Sequence, residues 1–117
     1  MLTGRRVTAF SMACETPPME RLDEAAISAR LSQVPDWTRE GEEIRRTVVA
    51  PDFRTAIAIV NDVAEQAENL DHHPDIDIRW RRLHLALTTH DAGGLTERDF
   101  TLAARVDAIA ADHGATA

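Results

Sequence analysis

With 117 residues the chain has the length of a single domain, enough to bury a core without covalent staples. Its formal net charge of −7 argues against a general nucleic-acid binder, whose affinity rests on cations meeting phosphates. The single cysteine, Cys14, excludes an internal disulfide and fits a reducing compartment, and no apolar run reaches the ~20 residues of a membrane-spanning helix.

Residues 1–19 differ from the rest. "GRRVTAFSMAC" pairs two arginines with a short apolar stretch, as an export signal would, but Thr8 and Ser11 interrupt it and "ETPPME" holds no cleavage signature. This stretch reads as a loose extension of a cytoplasmic chain, with Met12 or Met19 as alternative starts and no base beside Cys14. The domain is expected over 20–113, with a tail at 114–117.

The spacing of Leu22, Ala26, Ile27, Leu31 and Val34 predicts a helix from Glu20 to Val34, ended by Pro35. Two strands follow, Trp37–Glu40 and Ile44–Ala50, joined around Gly41. Asp52 caps a longer helix whose stripe is Phe53, Ala56, Ile57, Val60, Ala64 and Ala67. Pro74 keeps that helix from running past His72 and His73. The period then changes to two: Ile76, Ile78 and Trp80 form the buried face of one strand, and Leu83, Leu85 and Leu87 that of the next. "HDAGG" makes a loop at 90–94. A last helix starts at Thr96, with Asp99 as the returning carboxylate of a capping box and Leu102, Val106 and Ile109 as its stripe. The order α-β-β-α-β-β-α, with antiparallel strands apolar on one face, predicts an α+β sandwich.

The stretch "ENLDHHPDIDIRW" at 68–80 carries the chemistry. Glu68 lies one turn before His72, and an antiparallel return over the next two strands brings His90 and Asp91 back beside His72 and His73. Three readings are open for the histidines: a zinc site, loop hydrogen bonding, or acid–base catalysis by imidazoles that titrate near pH ~6.5. Zinc is disfavoured because adjacent histidines in an extended segment point apart and no HExxH or cysteine pair is present. Convergence of three histidines at one sheet end favours proton transfer. The remaining features have plainer readings. Gly93-Gly94 is a turn, His84 a surface or interface residue, His113 part of a frayed end, and Trp37 and Trp80 core or interface anchors. Arg45-Arg46 and Arg79, Arg81 and Arg82 read as solvated strand and turn faces.

The block from Glu68 through "DHHP" to "TTHDAGGLTERD", ending at Asp99, resembles the pterin-4a-carbinolamine dehydratases, and the resemblance covers about residues 20–111. It implies three helices against one face of a four-stranded antiparallel sheet. It also implies dehydration of a 4a-hydroxytetrahydropterin to the quinonoid dihydropterin, which recycles the pterin of aromatic amino-acid hydroxylases, without metal or organic cofactor. On the same ground the catalytic histidines are His72, His73 and His90. Substrate contacts are Asp71, His72, His73, Thr88, Thr89, His90 and Asp91, with Glu68 and Asp99 in support. A homodimer or homotetramer is implied, with no nucleic-acid or membrane partner. The alternative is a non-catalytic module that binds protein partners. Ile76 and Trp80 depart from the family's habit of an aromatic two residues after the proline and a tyrosine four further on.

Overall fold

The structure, a computed structural model, describes residues 20–116; the N-terminal extension lies outside them. The elements are α1 (Glu24–Leu31), β1 (Thr38–Glu40), β2 (Glu43–Val49), α2 (Phe53–Leu70), β3 (Asp75–Arg79), β4 (Arg82–Leu87), a 3-10 turn (His90–Ala92) and α3 (Glu97–Asp112). This is the expected order. The strands form one antiparallel sheet in the spatial order β1-β2-β4-β3.

Alternation decides which face is covered. Ile44 and Val48 of β2 and Leu83, Leu85 and Leu87 of β4 are buried, together with Ile59 and Val63 of α2 and Leu102 and Val106 of α3. On the opposite face Thr47 and His84 stand directly across from each other, and Thr47 Oγ1 lies 2.9 Å from His84 Nδ1. His84 is therefore a surface residue, as its position in the alternation implied.

α1 is shorter than its apolar spacing suggests. The Asp23 carboxylate accepts from the Ala26 amide at 2.8 Å, so the helix begins at Glu24. It stops at Leu31, and Val34 is buried by a turn instead of a helix. Arg30 ties α1 to α3 through a two-pronged bond to Glu97 at 2.5 and 2.8 Å. The guanidinium holds the Glu97 carboxyl below its ordinary range.

α2 buries Ala56, Ile59, Val63, Ala67 and Leu70. The expected stripe is thus rotated: Ala56 and Ala67 belong to it, but Ala64 is exposed, Ile57 and Val60 are half-buried, and Phe53 is 49 % exposed. The helix is apolar over a wide arc, so spacings of three and four fit more than one face.

β3 departs further from expectation. Ile76 and Ile78 share the side of Leu85 and Leu83, but β3 is the outermost strand and has a neighbour on one side only. Ile76 is half-buried and Ile78 is 41 % exposed. Trp80 is no core anchor: it is 75 % exposed and lies outside the strand. With Arg81 it forms a two-residue turn between the paired Arg79 and Arg82, at a φ of 58°. A bulky residue in the left-handed region costs about 1–2 kcal/mol, because its Cβ crowds the next carbonyl. Tight reversal of the hairpin overrides the alternation that continues through Trp80.

Arg46 is the second correction. It sits on the helix-facing side of β2, between Ile44 and Val48, and is buried instead of solvated. Asp107 of α3 meets its Nη1 and also accepts from Trp37 Nε1 at 2.8 Å, while Asp36 stands 3.7 Å from Nη2. Trp37 is a core anchor as expected. His113 is not frayed either. It caps α3, and its Nε2 lies 2.8 Å from Asp62 of α2; beyond it Thr116 exchanges backbone bonds with Val49.

Candidate active site

The site begins where α2 stops. Asp71 adopts a left-handed conformation with φ 50°, and the amides of Asp71 and His72 bond back to the carbonyls of Glu68 and Ala67. The helix is therefore closed three residues before Pro74. The proline marks the entry to β3, not the helix stop.

This stop splits the two histidines. His72 turns inward and is 7 % exposed; its Nε2 lies 2.6 Å from Asp99 Oδ1. His73 turns outward, and its Nε2 lies 2.5 Å from Glu68 Oε2. The expectation set Glu68 beside His72, four residues on, on the condition that the helical turn persists. It does not persist past Leu70, and Glu68 meets His73. Each imidazole is thus backed by its own carboxylate, one pair buried and one exposed.

The other strand-end supplies the second wall. The β3·β4 register runs to Asp75 opposite Ala86. Beyond it the ladder ends, with His72 and His73 on one side and Thr88 and Thr89 on the other. Asp99 spans that gap, because Thr89 Oγ1 donates to its Oδ2 at 2.8 Å. Thr88 instead donates to the Glu42 carbonyl at 2.5 Å. Thr89 and Gly94 exchange backbone bonds and close the loop carrying exposed His90 and Asp91, with Gly93 at φ 74° completing the reversal. A Cβ at Gly94 would stand 2.9 Å from Arg21 Nε, the movable end of an exposed side chain. His90, Thr88, Gly93 and Gly94 border a cleft of about 350 Å³ whose far side is Glu40, Glu42 and Glu43.

Asp99 does two jobs. Its Oδ2 accepts from the Thr96 amide at 2.9 Å, which forms the capping box of α3, while Oδ1 faces His72. It is fully buried, as is Thr96. Among the described residues, no group of three or more His, Cys, Asp or Glu side chains is arranged to hold a metal ion. No helix among them is long and apolar enough to cross a membrane.

A family model described as Pterin 4 alpha carbinolamine dehydratase matches residues 20–109. The chain belongs to that family. A relative from Chloroflexus aurantiacus, provisionally named pterin-4-alpha-carbinolamine dehydratase, is 59% identical over 91 residues, which are 78% of this chain and 98% of that protein. The crystal structure of a transcriptional coactivator/pterin dehydratase from Brucella melitensis is 34% identical, with a TM-score of 0.75 over 78% of this chain and 99% of that one. A pterin dehydratase-like protein identified as a RuBisCO assembly factor of the alpha-carboxysome shares the fold, at 23% identity and a TM-score of 0.56 over 64% of this chain and 89% of that one. Within this pterin-dehydratase domain, sequence reasoning missed the part of Thr96 beyond capping and the carboxylates of the β1–β2 turn. Nothing in their local pattern signals either: the first comes from Thr89 across the intervening turn, the second from contacts between distant segments.

Proposed function

We propose that this chain dehydrates a 4a-hydroxytetrahydropterin to the quinonoid dihydropterin by histidine acid–base catalysis. The observation that carries the reading, beside family membership, is the pair of adjacent histidines backed by separate carboxylates, Asp99 and Glu68. The step needs one proton delivered and one removed. An imidazolium protonates the 4a hydroxyl, the C4a–O bond breaks and water leaves. A neutral imidazole takes the N5 proton, and the N5–H electrons form the C4a=N5 bond. His72, His73 and His90 are the candidates for these roles. Asp71, Thr88 and Asp91 supply further contacts, whereas Thr89 has only its backbone to offer, its hydroxyl being committed to Asp99. The product would feed reduction back to the tetrahydropterin used by aromatic hydroxylases in the cytoplasm.

The test is the rate of carbinolamine decay with purified protein in the presence of a chelator. Wild type is expected to accelerate it, and His73→Ala to lose ~100-fold or more, the usual worth of a positioned acid or base. No acceleration by wild type, or full rates in single variants of all three histidines, would overturn the reading.

We further propose that copies pair edge to edge through β3. A two-fold axis at Ile78 sets Asp77 of each copy opposite Arg79 of the other and Ile78 against Ile78, so that the exposed strand edge is covered. Ile78→Lys is expected to convert a dimer or larger assembly to half its mass in light scattering. A wild type that is monomeric at micromolar concentration rules this pairing out. A protein-binding role remains the second reading, favoured by the exposed Phe53, Ile78 and Trp80. It predicts a stable partner whose capture is unchanged by removing the histidines.

A further inference from the structure

The buried polar group behind His72 contains more hydroxyls than a helix cap needs. A capping box uses Thr96 and Asp99 alone. Here Thr89, 3 % exposed and seven residues earlier, joins them, and the far carboxylate oxygen faces an imidazole. Proton accounting gives every bond a direction. An ionised carboxylate only accepts, so the single hydroxyl proton of Thr89 goes to Asp99 Oδ2. Thr96 Oγ1 lies 2.9 Å from Thr89 Oγ1, and with Thr89's proton already spent, Thr96 is the donor. Thr96 Oγ1 accepts in turn from the Arg98 amide at 3.3 Å. The chain runs Arg98 amide, Thr96, Thr89, Asp99, each donating to the next. On Oδ1 the only proton left to fill the 2.6 Å contact is on His72 Nε2.

We propose that Thr89 and Thr96 are positioning residues: through Asp99 they hold neutral His72 as its Nε2–H tautomer, so that every proton His72 exchanges with a ligand crosses at Nδ1. The inference rests on the dehydratase reading only for what that ligand is. The carboxylate behind Nε2 stabilises the imidazolium that forms when Nδ1 takes a proton, so the same nitrogen serves as base when empty and acid when loaded. The two threonines fix the carboxylate plane, and with it the aim of the ring.

The test is long-range 1H–15N spectroscopy of the full chain labelled at histidine, with Thr89→Val and Thr89→Ser alongside. Wild-type His72 is expected to keep Nε2 protonated across its titration while Nδ1 alone gains and loses a proton. Thr89→Val, which keeps the shape of the side chain, is expected to depopulate the Nε2–H tautomer and lower kcat for carbinolamine dehydration about tenfold, with KM within about twofold. Thr89→Ser restores both. An Nδ1–H tautomer in wild type, or an unchanged tautomer in Thr89→Val that melts cooperatively, would overturn the proposal. The spectrum is read without substrate, so a protein inactive on carbinolamine would sink the substrate reading while leaving this inference decidable.

Discussion

Asp99→Asn is expected to reduce carbinolamine dehydration by about a thousandfold while leaving the domain folded. The asparagine carbonyl replaces Oδ2 and still accepts from Thr96 N and Thr89 Oγ1, so the α3 cap persists. Its amide group replaces Oδ1 and presents N–H to His72 Nε2, which then has to accept. The ring switches tautomer, and the nitrogen that should carry a lone pair carries a proton. The same exchange in a catalytic triad costs about 10⁴ in kcat with geometry intact. The loss should fall on kcat, and far-ultraviolet circular dichroism should be unchanged. A variant within threefold of wild type would show that His72 takes no part in turnover.

Asp107→Ala is expected to be among the most damaging changes to stability outside the site. It removes the carboxylate that meets Arg46 and the acceptor of Trp37 Nε1 together. Arg46 stays buried, its Nε already has no hydrogen-bond partner among the described residues, and Asp36 at 3.7 Å is half-exposed and too distant to replace the lost bond. Stripping one partner from a buried pair costs about 3–5 kcal/mol. For a domain of this size that is a fall in Tm of roughly 12–30 °C. Urea denaturation measures it directly, and a loss under ~1 kcal/mol would mean that Arg46 finds water in place of the carboxylate. Replacing Arg46 and Asp107 together by methionine and leucine should recover most of the loss, because the cost lies in the orphaned charge.

The contrast between these two clusters shows what the sequence made legible. The His72–Asp99 end was legible only in part: the α3 cap and the returning hairpin follow local rules, but the sequence set Glu68, not Asp99, beside His72. The Arg46–Asp107–Trp37 cluster was not readable, because "IRRTVV" alternates as well with an arginine inward as with any other residue. Only α3 crossing over β2 supplies the carboxylate that makes this tolerable. The order of elements was likewise legible from the change of period, whereas the faces of α2 and β3 were not. A helix apolar over a wide arc fits several stripes, and no alternation says which strand lies at the edge. Glu68 shows the smallest margin. A single left-handed residue, Asp71, moves its partner from His72 to His73.

The hairpin that exposes Trp80 also gives the domain an internal pair of optical probes. The chain has two tryptophans and no tyrosine. Trp37 is sealed at 4 % exposure with its indole N–H bonded, so its blue-shifted emission reports on the integrity of the core. Trp80 stands in solvent at the tip of β3 and emits at longer wavelength, open to iodide quenching. Unfolding moves the first signal, and the edge pairing proposed above would move the second, so one titration of the wild-type protein tests for both events without a label.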